Sequence, residues 1–119
     1  MDRLEHIFKL QEKFDTALME NRKLHDISRE EWIQKETLAI ISELAELLNE
    51  VNFKWWKNPQ ELNEAAIREE LVDILHFFVS MCLKMNMTAE DLYQGYLRKN
   101  EENFKRQQGR SDKKGYEWK

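Results

Sequence analysis

The sequence predicts an all-α fold, a four-to-five-helix bundle completed by dimerisation, on three observations. Only three Gly and one Pro interrupt 119 residues, so long helices are favoured over sheet. Apolar residues recur every three or four positions along most of the chain, the period of a helix with one buried face. Ser28 with Glu31 and Thr88 with Asp91 are helix-opening pairs, in which each side chain can satisfy the other residue's backbone N–H.

The first helix is expected over about Arg3–Arg22, with Leu4, Ile7, Phe8, Gln11, Phe14 and Leu18 on one stripe. The second opens after Ser28 and runs over about Arg29–Asn52. The segment FKWWKNP then breaks the pattern, and Pro59 is placed at the start of a third helix, about Pro59–Met85. That third helix is apolar around well over half its circumference, with Glu70, Asp73, His76 and Phe77 on the remaining arc. It belongs in the middle of a bundle, its acidic arc facing another helix or a cleft. The fourth is expected over about Ala89–Gln108, ended by Gly109. Residues 1–108 thus read as a single all-α domain and 109–119 as a mobile tail.

Net charge is −4, too mild to name a partner, but its distribution is uneven. Residues 98–119 carry eight Lys/Arg against four acids, leaving the rest of the chain acidic. An acidic body suits a metal and a basic segment suits phosphate, although a solvated basic tail explains the charge equally well. The lone Cys82 excludes a disulfide within the chain and predicts a buried thiol. The longest mostly apolar run, Leu71–Leu83, is too short to span a membrane, and Met1–Gln11 is amphipathic and charged. A cytoplasmic protein without membrane or polymeric nucleic-acid partners is expected.

The chemistry lies in two acidic pairs, Glu43 with Glu46 and Glu70 with Asp73, each spaced to put both carboxylates on one helix face. Chance accounts readily for Glu43 and Glu46 alone. Glu70 and Asp73 stand among strong apolar neighbours, where unpaired carboxylates would destabilise the fold. Together the pairs suit a hard cation, Mg²⁺ or Mn²⁺, bound by oxygen alone. A di-iron bundle would need Glu-x-x-His on two helices, and only Asp73-x-x-His76 approaches it. Zinc fits less well, because the His residues and Cys82 have no ligand spacing.

The order ExxE (Glu43, Glu46), FKWWK (Phe53–Lys57), then ExxD and HF (Glu70, Asp73, His76, Phe77) resembles the all-α nucleoside triphosphate pyrophosphohydrolases, the MazG-like enzymes among them. The run YLRKNEENFKRQQGRSDKKGY is similar to the C-terminal signature of one branch, the dimeric dUTPases. The resemblance implies Mg²⁺-dependent hydrolysis of dUTP and dUDP to dUMP, in a homodimer or, as in some compact relatives, a tetramer. It makes Glu43, Glu46, Glu70 and Asp73 catalytic metal ligands, with Glu43 or Glu46 also orienting or deprotonating the attacking water.

Substrate contacts follow in part from the residues and in part from the resemblance. Lys99, Asn103 and Arg106 share one face of the fourth helix. Alone they are a solvated basic face; beside the acidic pairs they suit a phosphate clamp. Tyr116 would close over the nucleotide with the tail. Of Trp55 and Trp56, one is expected as a core peg and the other against a base. His76 suits a hydrogen bond to a base, or equally to a neighbouring carboxylate. Phe77 is a core residue on its own terms and a deoxyribose contact by family analogy. Gln11 is a polar residue on an apolar stripe and needs a partner; the resemblance has this region read the uracil edge, with Asp15 standing where some members carry Asn.

Two rivals remain at this level. One is the same chemistry on another nucleotide such as dCTP. The other is a non-catalytic helical interaction module with solvated acidic stripes, which predicts no Mg²⁺ binding.

Overall fold

The computed structural model describes Met1–Lys119 and is all-α: α1 (Arg3–Arg22), α2 (Arg29–Glu50), α3 (Glu64–Lys84) and α4 (Ala89–Gln107). Each helix opens on a side chain that accepts from an otherwise unpaired backbone N–H. Asp2 accepts from Glu5 N at 2.8 Å, Ser28 from Glu31 N at 3.1 Å and Asn63 from Ala66 N at 3.0 Å. Thr88 and Asp91 form the full reciprocal box that the sequence predicts.

The third helix starts later than expected. Pro59 is not its first residue, because Asn52, at φ 56°, bonds Gln60 through both its carbonyl and its amide and holds residues 52–60 as a closed loop. Helix then begins after Asn63, which supplies the cap.

The chain divides into two compact units, Met1–Asn86 and Met87–Lys119. In the first, α3 packs against both α2 and α1, the central place its apolar circumference predicts. Glu36 meets Ser80, while Glu43 meets Glu70, so α2 and α3 run antiparallel. Gln11 meets His76 and Asp15 meets Ser80, so α1 runs in the same sense as α3. The core of this unit is thin: Phe8, Val79 and Cys82 are its buried apolar side chains. Burial pushes the Cys82 thiol pKa up, as expected of an inert core cysteine. Much of the predicted apolar stripe is uncovered, Phe14 at 59% and Leu71 at 54% exposed, because α1 and α2 together cover only part of α3.

In the second unit, the tail folds back along α4. Trp118 N donates to Gln107 O, Arg110 N to Lys105 O, and the Ser111 hydroxyl to Glu102. That hydroxyl, with Arg106 adding to it, holds the Glu102 carboxyl below its usual range. No single helix of the chain is long and apolar enough to cross a membrane.

Candidate active site

Antiparallel packing of α2 on α3 brings three of the four predicted carboxylates together. Ligand oxygens of Glu43, Glu46 and Glu70 lie within 4.8 Å of one another. Glu43 and Glu70 are half-buried and Glu46 is exposed. Asp73, one turn beyond Glu70, falls outside this group and lines an adjoining cavity together with Glu43.

The trio is electrostatically incomplete. A hydrogen bond to Glu43, partial desolvation and the charges of Glu46 and Glu43 push the Glu70 carboxyl up to about 7. One oxygen each of Glu43 and Glu70 is buried with no hydrogen-bond partner. No Lys or Arg forms an ion pair with any of the three. An oxygen-only donor set, short of positive charge and with unpaired lone pairs, fits a hard divalent cation and fits zinc or iron poorly.

The adjoining cavity has a volume of about 470 Å³ and lies among all three helices of the first unit. Gln11 and Asp15 come from α1, Trp32, Glu36 and Glu43 from α2, and Asp73, His76, Phe77 and Ser80 from α3. Gln11, Asp15, His76 and Phe77, scattered in sequence, are thus brought together beside the acidic trio. Gln11 Nε2 donates to Asp15 Oδ1 at 2.9 Å, which leaves Gln11 Oε1 to accept from His76 Nδ1 at 2.8 Å. His76 Nδ1 therefore carries the hydrogen of this bond.

Other predicted contacts lie elsewhere. Neither tryptophan is a core peg: Trp55 is 86% and Trp56 62% exposed, packed edge-to-face on each other at 4.6 Å. A loop closed by Asn52 and Gln60 points outward, so it has no core to peg. In the second unit, Arg106 Nε donates to Glu102 at 3.2 Å and its guanidinium lies 5.4 Å from the Tyr116 ring. Lys99 and Asn103 are exposed on α4.

Four residues escaped the sequence reading as site residues: Trp32, Glu36, Ser80 and Lys84. A signal existed, since Glu36 and Glu43 are seven apart, as are Asp73 and Ser80, and seven residues return a helix to nearly the same face.

The sequence model of a family described as dUTPase matches residues 3–88. The chain belongs to the dUTPase family. The match spans α1 to α3, and so takes in the acidic trio and the cavity beside it. Among curated relatives, the dCTP pyrophosphatase of Enterobacteria phage LZ5 is 31% identical over 74 residues, 62% of this chain and 43% of that protein. The dCTP pyrophosphatase of Enterobacteria phage T4 is 42% identical over 45 residues, 38% of this chain and 26% of that protein. The matches thus span less than half the length of these two relatives. No solved structure matches the chain.

Proposed function

We propose that this chain is a Mg²⁺-dependent pyrophosphohydrolase that converts a pyrimidine deoxynucleoside triphosphate, dUTP or dCTP, to the monophosphate and so sanitises the nucleotide pool. The observation that carries the reading is the cation-deficient trio Glu43–Glu46–Glu70 opening beside a base-sized cavity lined by Gln11, Asp15, His76 and Phe77. Family membership and the names of the two phage relatives support it.

Glu43, Glu46 and Glu70 would hold Mg²⁺, or Mn²⁺ in its place, with Asp73 contributing from the cavity side. A bound cation would supply charge neutralisation for the triphosphate and acidify a water. The chain's own part is distinct. Glu43 keeps a buried, unpartnered oxygen, suited to orienting a water and taking its proton. Gln11 and His76, locked to each other, present a fixed polar edge to the base, and Phe77 an apolar face to the sugar. Lys99, Asn103, Arg106 and Tyr116 are assigned to the phosphate chain and to closure through the family resemblance. One of Trp55 and Trp56 remains the proposed base contact, its exposed ring being available for stacking. A homodimer completes the proposal, supported by the uncovered apolar groove of about 350 Å³ between Ile7, Leu10, Phe14, Val72 and Leu75. A cytoplasmic location is part of it.

Hydrolysis of a panel of dNTPs and NTPs, with Mg²⁺ and with EDTA, tests the proposal. Pyrophosphate release from dUTP or dCTP, little from dTTP and none with EDTA is expected. No turnover of any nucleotide would favour a non-catalytic module.

A further inference from the structure

At the end of the cavity away from the acidic trio, the count of donors and acceptors does not close. Ser80 has one hydroxyl hydrogen, yet two carboxylate oxygens face it, Asp15 Oδ2 at 2.7 Å and Glu36 Oε1 at hydrogen-bond distance. Lys84 Nζ donates to Ser80 Oγ at 2.8 Å and to Glu36 Oε1 at 2.7 Å, and lies 3.8 Å from Asp15. Two carboxylates thus share one ammonium and one hydroxyl proton, with the Gln11 amide as a further donor to Asp15 Oδ1 alone. Glu36 is only 7% exposed, lines the cavity, and its Oε2 is buried with no partner. An unpaired carboxylate oxygen at that depth is costly and seldom left without purpose. One helical turn earlier on α2, Trp32 Nε1–H is also buried, unpartnered and on the same cavity wall.

The occupant that closes this count brings a hydrogen to Glu36 and an acceptor to Trp32. Both pyrimidines can offer one of each. They differ in what accompanies the donated hydrogen: cytosine brings two amino hydrogens to a site with two carboxylates, whereas uracil brings a single N3–H flanked on both sides by carbonyl oxygens. A carbonyl against Glu36 and Asp15 is repelled, whereas an amino group is drawn in. We propose that the cavity selects cytosine over uracil, and that Glu36 is the residue that reads the amino group, with Ser80 and Lys84 positioning its carboxylate. The inference rests on the proposed hydrolase reading and names its substrate within the pair.

The test is kcat/KM of the full chain with Mg²⁺ on dCTP and dUTP, for wild type and Glu36→Gln, with folding followed by circular dichroism. Competitive inhibition by dCMP and dUMP reads base preference apart from chemistry. Wild type is expected to favour dCTP by at least about tenfold, with dCMP the better inhibitor. Glu36→Gln, whose amide shows a donor as well as an acceptor, is expected to shrink that ratio, chiefly through KM for dCTP. Preference for dUTP in wild type, or an unchanged ratio in folded Glu36→Gln, overturns the inference while leaving the hydrolase standing. Absence of turnover and of inhibition with both bases removes the hydrolase and this inference with it. If Glu36→Gln does not fold, the wild-type ratio and the monophosphate inhibition decide.

Discussion

Two carboxylate clusters lie along the same α2–α3 seam and balance their charge differently. At one end, Asp15 and Glu36 share Lys84, a cation the chain supplies itself, whose ammonium also lies over the Trp32 ring, 4.3 Å from its centroid. At the other end, Glu43, Glu46 and Glu70 converge with no basic partner, and Glu70 answers by holding its proton to about pH 7. The first is compensated in large part from within the chain. The second costs the fold something unless a cation comes from outside, and that asymmetry is the physical argument for a metal site.

The largest expected effect separates the two directly. Glu70→Gln removes charge from a repulsive trio, so it should leave the fold at least as stable while lowering turnover at least about a thousandfold, about 4 kcal/mol of barrier. A fall in melting temperature with activity retained would make Glu70 structural instead. Next, Lys84→Met strips the inner cluster of its only cation. It should destabilise the chain by about 3 kcal/mol, the low end for breaking a buried pair, measured by urea unfolding. A loss below about 1 kcal/mol would show this pair to be as weak as a surface one.

Ser80→Ala is smaller, about 1–2 kcal/mol by the same measurement, because it deletes a hydroxyl shared between buried carboxylates. The smallest effect is a slope. Glu70 titrates near 7 when folded against an ordinary value of 4.5, so its protonated form favours the native state. That contribution is complete below about pH 4.5 and lost as pH rises through about 7. The metal-free protein should therefore melt lower at pH 8 than at pH 6 by more than Glu70→Gln does, and Mg²⁺ should raise the wild-type Tm more at pH 8. Identical slopes in the two proteins would take Glu70 out of the pH response.

Much of this was legible in the sequence. Four helices follow from the apolar period and the caps of α2 and α4 from Ser28 and Thr88, and the acidic arc of α3 pointed to its partner helix. The start of α3 was not, because the Asn52–Gln60 clasp that delays it is a contact eight residues apart, which no local propensity encodes. The exposure of Trp55 and Trp56 was hidden for the same reason, since a loop's direction depends on its closure. The inner cluster escaped because Ser80 and Lys84 read as an ordinary small residue and an ordinary helix-ending cation. Their meaning appears only once Asp15, on a helix 65 residues away, is laid beside Ser80.

The central claim, that the outer trio awaits a divalent cation, is met most directly by binding of Mn²⁺ to the nucleotide-free protein at pH 8, followed by electron paramagnetic resonance. A saturable site in wild type, weakened at least about tenfold in Glu70→Gln, is the expected result. No saturable binding in wild type, or equal binding in both proteins, would contradict it.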